Sequence, residues 1–245
     1  MAIIPNLQLP ADILQRSGHY ASASLRQLGR RAFLKQGAGA ASAALLVSCD
    51  LLEPVEPVEQ NPPSTSPGVT TVGVSIDRVI QQAAIQECQN WCWAASASMI
   101  FGFLGRHVTQ TTIVARTIDA PACSKANTAQ IIQSLSGQYV DSSGRPFTSQ
   151  VAAAYDFFSG IYNLSNAGIV QLLKAGRPLL YCNKGHAMVL HELTYLGSER
   201  NPNVQTARVI DPWPTNSRTR MLTSAEMFAA NLGGDMTFLA GVQIF

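Results

Sequence analysis

Gln86-Glu87-Cys88-Gln89-Asn90-Trp91-Cys92-Trp93-Ala94-Ala95 is the stretch on which the reading of this chain turns. Two tryptophans flank a cysteine, and small residues then continue through Ser98. From Trp91 to Leu104 the pattern is helical, with Ala95, Met99 and Phe103 on one face and Gly105 placed as a left-handed stop. Cys92 therefore falls in the first turn of a helix. Unpaired N–H groups and the positive end of the helix dipole lower a thiol's pKa there. A free cysteine is most often just a small buried hydrophobe, and the flanking tryptophans and upstream glutamine argue against that here. The third tryptophan, Trp213, closes Ile210-Asp211-Pro212-Trp213-Pro214, and Gly185-His186-Ala187 stands between the two motifs. Cysteine, histidine and aspartate in that order are the parts of a thiol nucleophile with its base and orienter.

The chain holds four histidines. His19 lies in the N-terminal leader, and His107 follows Gly105 in a turn. His186 and His191 are an odd number of residues apart on one expected strand, so alternation puts them on opposite sides and at most one faces a cleft. His186 is the candidate base, because Gly185 before it leaves room for a substrate backbone. Asp211 ends a strand at Pro212, where a carboxylate can hold an imidazole in one tautomer and steady the imidazolium.

Around these motifs, helices are expected after Thr109, with Ile113 and Val114 inward, from Asn127, with Gln130 as capping-box partner, and from Ser165 to Gly176. Beyond Gly176 come short apolar runs, at 177–182, 187–196, 205–210 and 236–244, which predict strands. Thr223-x-x-Glu226 opens one short late helix. Helices first and strands second give an α+β fold, a helical half packed on an antiparallel half, with the site in the cleft between them.

The motifs resemble those of papain-like cysteine proteases. Gln86 six places before Cys92-Trp93, and Trp213 two places after the orienter, follow that family's pattern. Asn90-Trp91-Cys92-Trp93-Ala94-Ala95 and Gly185-His186-Ala187 are closer still to its compact bacterial branch, which includes plant-pathogen effector proteases and relatives of bacteriocin-leader peptidases. The resemblance covers Ile85 to Trp213. It implies a cysteine-type endopeptidase that needs no cofactor, with a papain-like fold and a Cys92-His186-Asp211 triad. Gln86 would be the side-chain oxyanion donor, Trp213 would shield the Asp211–His186 hydrogen bond, and a disulfide would join Cys88 to Cys123. Cys182 is then left as a buried thiol. Three features depart from papain: the orienter is Asp rather than Asn, the histidine and orienter come sooner than papain's spacing of about 130–150 residues, and no pro-segment of the papain type is visible. The same triad chemistry also runs transglutaminases and amidases, and a non-catalytic, membrane-anchored binding module is the reading from outside enzymology.

The N-terminal third carries an export address. Gly29-Arg30-Arg31-Ala32-Phe33-Leu34-Lys35 resembles a twin-arginine signal, and the Ala/Gly-rich run to Val47 is too short to span a bilayer. Leu46-Val47-Ser48-Cys49 resembles a lipobox, with Cys49 as the lipid-bearing residue and Asp50 as an inner-membrane retention signal. Residues 1–48 are accordingly a signal peptide, 49–73 a lipidated, proline-rich tether, and 74–245 the peptidase domain. The expected location is the inner membrane, facing the periplasm, as a monomer acting on peptide or protein. Of the 17 Lys and Arg and 15 Asp and Glu, five basic and one acidic precede Cys49, which leaves 12 basic and 14 acidic residues. That balance gives no footing for nucleic acid.

Overall fold

A computed structural model describes residues 68–118, 122–216 and 218–245. The twin-arginine motif, Cys49 and the tether up to residue 67 lie outside those residues. In chain order the elements are β1 (Thr70–Gly73), α1 (Ile76–Gln82), α2 (Cys92–Phe103), α3 (Gln110–Ile118), α4 (Thr128–Ser134), β2 (Gly137–Val140), β3 (Pro146–Asp156), β4 (Ile161–Tyr162), α5 (Asn166–Lys174), β5 (Leu179–Cys182), β6 (Ala187–Ser198), β7 (Asn201–Ile210), β8 (Thr219–Met221), α6 (Ser224–Met227) and β9 (Phe238–Ile244). Helices and an antiparallel sheet make this an α+β fold.

All the strands belong to one sheet, ordered β2-β3-β9-β5-β6-β7-β8, with β1 added along β6 and β4 along β3. Every pairing between them is antiparallel. The central strands are apolar on both faces, as a strand covered on both sides must be. On β5, Leu180 and Cys182 join one core cluster, while Leu179 and Tyr181 join the other.

The first cluster is built on α2, which packs against β5 and β6 with α3 and α4 beside it. Trp93, Met99, Ile100 and Phe101 are all nearly inaccessible, and each such side chain stabilises the fold by about 1.5–3 kcal/mol relative to exposure. The second cluster is built on α5, whose Ile169, Val170 and Leu173 pack under Tyr181, Met188 and Leu190.

The expected helix over 91–104 runs from Cys92 to Phe103, with Trp91 and Leu104 as its caps. Gly105 follows with φ 76°, a conformation that only glycine adopts at no steric cost. The Asn127–Gln130 capping box, the Ser165 cap and the Thr223–Glu226 box all form. The order of elements is less simple than helices first and strands second, because β2, β3 and β4 come between α4 and α5. The residues Thr70–Gly73, at the end of the expected tether, pair with β6 as β1.

Strand alternation is also interrupted. The β6–β7 register shifts between Leu190 and Glu192. Before the shift Met188 and Leu190 lie in the second cluster, and after it Leu193 and Tyr195 do. The parity argument that separated His186 from His191 therefore does not carry through this bulge. What distinguishes the two histidines is their surroundings.

Candidate active site

Cys92 opens α2, and its half-buried thiol faces the end of the β5–β6 hairpin. Burial by itself would raise its pKa. Hydrogen bonds from His186 and from the backbones of Ala187 and Trp93, together with the charge of His186, outweigh burial and lower it. His186 sits just before β6, in the turn that links it to β5. Its Nε2 lies 2.7 Å from Asp211 Oδ1, which leaves Nδ1 as the ring atom available to Cys92. Burial pushes His186 down, but its hydrogen bonds to Asp211 and Cys92 lift it from 6.5 to about 9. The two shifts run in opposite directions, the thiol down and the imidazole up, and both favour the ionised forms of the pair.

Asp211, at the end of β7, is 1% exposed. Burial would push its carboxyl up, yet His186, the Trp213 N–H and Asn216 hold it well below the usual carboxylate range. The Trp213 N–H and His186 bond Oδ1, while Asn216 Nδ2 and Arg220 Nε donate to Oδ2 at 2.8 and 3.1 Å. The Trp213 ring stands edge-on to the His186 ring, centroids 6.1 Å apart.

The tryptophans of the opening motif have structural work as well. The Trp91 and Trp93 indole N–H groups donate to the carbonyls of Ala122 and Ser124, at 2.8 and 3.1 Å. Asn90 Nδ2 donates to the Cys123 carbonyl. Cys123 is itself joined to Cys88 by a disulfide, the pair implied by the resemblance. The segment 122–124 is therefore stapled to the nucleophile turn by one covalent bond and three side-chain hydrogen bonds.

Gln86 is 5% exposed. Its Nε2 donates to the carbonyls of Cys88 (3.0 Å) and Gln89 (2.7 Å), and its Oε1 has no partner among the described residues. The amide thus braces the turn on which Cys92 sits, and Gln86 does not border the cavity; Gln89 and Asn90 do. The backbone N–H of Cys92, at the first helical position, has no carbonyl partner within α2.

That cavity has a volume of about 690 Å³. Cys92, Trp93 and Ile131 border it on the helical side, and Asn183, Gly185, His186 and Trp213 on the sheet side. A Cβ placed on Gly185 would meet no atom within 4 Å, so any side chain there would project into open space. Cys182 borders the same cavity, but burial pushes its thiol well above the ordinary value, as does the charge on Cys92. His191 is the opposite of His186. It is 2% exposed, neither ring nitrogen has a partner among the described residues, and burial with the nearby Arg208 charge lowers it to about 4.

The structure brings together Cys92, His186 and Asp211, which the sequence singled out, and sets beside them Asn183, Asn216 and Arg220, which it did not. These are ordinary loop and strand residues with no motif of their own. Asn216 and Arg220 meet Asp211 from five and nine residues away, and only the Asn183–Glu226 contact is distant in sequence. Only Glu226, visible as a capping-box residue, left a local signal there.

Among the comparisons with known proteins, the Peptidase_C39 like family matches residues 75–232, more than half of the chain. No curated protein matches it.

Proposed function

The chain belongs to the Peptidase_C39 like family of cysteine peptidases, and from that membership we propose that it is a papain-like endopeptidase whose triad is Cys92, His186 and Asp211. The observation that carries this reading is the placement of His186 between an acid and a thiol, Asp211 at 2.7 Å on one ring nitrogen and Cys92 on the other side. The Cys92 thiolate attacks the scissile carbonyl carbon. The His186 imidazolium then gives its proton to the departing amine, leaving a thioester on Cys92. Water, deprotonated by His186, attacks the thioester and releases the acid. Asp211 holds the imidazole in the tautomer this requires, and Trp213 shields their hydrogen bond from water.

The Cys92 N–H and the Gln86 amide stabilise the oxyanion. For Gln86 this means that one of its N–H groups leaves the Cys88 or Gln89 carbonyl when substrate arrives, in keeping with catalytic hydrogen bonds that tighten only in the substrate complex. The substrate lies in the cavity beside Gly185. Export by the Arg30-Arg31 signal and lipidation at Cys49 place the domain at the inner membrane, facing the periplasm. A Cys88–Cys123 disulfide suits such an oxidising compartment. The mass of the N-terminal peptide from membrane-purified protein tests this, and an unmodified Met1 refutes it.

The test of the chemistry is labelling of intact protein with an epoxide-type cysteine-protease inhibitor, followed by peptide mapping and product analysis on a peptide library. The expected result is modification of Cys92 alone, lost in His186→Ala, with new peptide termini among the products. Equal labelling of Cys92 and Cys182 from mildly acidic to mildly basic pH overturns the nucleophile assignment. Isopeptide bonds with ammonia release turn the reading to a transglutaminase.

A further inference from the structure

His186 is held at two places, its ring and its backbone, and both lead to the same buried carboxylate. On the ring side, Nε2 meets Asp211 Oδ1 and Arg220 Nε donates to Asp211 Oδ2 at 3.1 Å. Arg220 then clamps Glu226 with both terminal nitrogens, NH1 to Oε2 at 2.9 Å and NH2 to Oε1 at 2.7 Å. On the backbone side, the His186 and Gly185 N–H groups donate to Asn183 Oδ1 at 2.8 and 3.0 Å. Asn183 Nδ2 in turn donates to Glu226 Oε1 at 3.1 Å. The path from His186 through Asp211, Arg220, Glu226 and Asn183 closes on His186 again.

We infer that Arg220, Glu226 and Asn183 are positioning residues for His186, forming a closed hydrogen-bonded ring that fixes both the imidazole and the turn that carries it. The inference rests on the triad reading above. Several features separate this ring from an ordinary surface ion pair. Asp211 and Glu226 are 1% and 8% exposed, so neither charge can be left unpaired cheaply. Glu226 is fixed independently of Arg220, because its Oε2 also accepts the Thr223 N–H in the capping box of α6 and its carbonyl accepts the Tyr181 hydroxyl. It is therefore an anchor, and the bidentate fork gives Arg220 one geometry. Charges also alternate along the path: thiolate, imidazolium, Asp211, Arg220, Glu226. Each inner ion lies between opposite ones, so altering the Glu226 end changes how firmly Asp211 holds the imidazolium.

That alternation gives the ring a signature that a purely structural role lacks. Glu226→Gln retains the volume and a capping-box side chain but frees Arg220 to draw on Asp211 alone. Asp211 then holds the imidazolium less firmly, and the alkaline limb of kcat/KM moves to lower pH. Arg220→Met removes the competing cation, so Asp211 holds the imidazolium more firmly and the same limb moves to higher pH. In both variants kcat falls about 10- to 100-fold, the loss typical when outer partners that orient a ligand are removed, with KM little changed.

The experiment is the pH profile of kcat and kcat/KM for full-length wild type, Glu226→Gln, Arg220→Met and Arg220→Lys. It is accompanied by the rate of Cys92 alkylation at mildly acidic pH and by thermal melts. Arg220→Lys keeps the charge without the fork, and its alkaline limb should stay near wild type while kcat recovers only in part. Opposite shifts in Glu226→Gln and Arg220→Met support the inference. If Arg220→Met does not fold, a downward shift in folded Glu226→Gln decides for it. A Glu226→Gln profile and kcat matching wild type overturn the inference alone. Wild type without selective Cys92 alkylation overturns the triad reading and the ring with it.

Discussion

On the nucleophile side of the cavity, Cys92 is held by the Cys88–Cys123 disulfide, by indole and amide donors to 122–124, and by the Gln86 amide under its turn. On the base side, His186 is held by Asp211, Arg220 and Glu226. The first wall is covalent and neutral, and the second is ionic. The thiol must be fixed without a local charge that competes with its own. The imidazole needs a partner whose charge sets its protonation. On the triad reading each wall has the kind of bond that its side of the chemistry requires, and each should respond to a different insult: the base wall to changes of charge and pH, the nucleophile wall to reductant, through stability rather than activity.

The sharpest break is at Asp211. Asp211→Asn keeps the shape but offers His186 an acceptor without charge, and it can favour the wrong tautomer. By analogy with the Ser-His-Asp triad, kcat should fall about 10,000-fold, with substrate affinity largely kept. The wild-type kcat/KM profile should also bear the mark of this wall. Above about 9 His186 loses its proton, no acid remains for the leaving amine, and activity falls. The lowered thiol pKa shifts the acid limb below that of an ordinary cysteine. Steady-state kinetics with active-site titration check both. An Asp211→Asn enzyme within about tenfold of wild type removes Asp211 from the triad.

The next largest effect distinguishes two glutamines on the nucleophile wall. If the Gln86 amide turns to the oxyanion, Gln86→Ala should cost about 100- to 1000-fold in turnover, roughly 2.7–4 kcal/mol. Cys92 should remain reactive toward small alkylators, and Gln89→Ala should cost far less. Gln89 already borders the cavity, whereas Gln86 is engaged with two carbonyls. An exchange of the two effects would assign the donor to Gln89 and leave Gln86 as a brace. Kinetics on both variants, with the alkylation rate as the control, separate the cases.

How much of this was legible beforehand depended on how local the cause was. The start of α2 could be read from Trp91 to Gly105, and the caps at Asn127, Ser165 and Thr223 from single side chains, because each is decided within one turn. Strand β3 could not. Pro146–Asp156 carries three successive alanines and no clean alternation, and it is a strand because β9 and β2 pair with it. Only His186 of the two strand-region histidines borders the cavity, as expected, but parity is not the reason, since a bulge between Leu190 and Glu192 is a property of two strands together. The site divides along the same line. Cys92, His186 and Asp211 each sit in a distinctive local motif. Arg220 and Asn183 do not, and their meaning comes from Asp211, His186 and Glu226, which the folded chain gathers around them.

The smallest expected effect tests the nucleophile wall by itself. The disulfide closes a loop with a sequence separation of 35, and such a crosslink is typically worth about 2–4 kcal/mol, chiefly by restricting the unfolded chain. Cys88→Ser with Cys123→Ser, or reductant on the wild type, should lower stability by that amount in urea titrations. The native site should be nearly unchanged, because Asn90, Trp91 and Trp93 still hold 122–124. Activity in reductant should therefore stay close to normal until the protein begins to unfold, and the alkaline limb near pH 9 should not move. That limb belongs to His186 and its ionic partners, none of which the disulfide touches. If reduction instead removes activity well below the unfolding transition, the crosslink is placing Cys92 rather than only stabilising the fold. If it moves the alkaline limb, the two walls are coupled and the contrast between them fails.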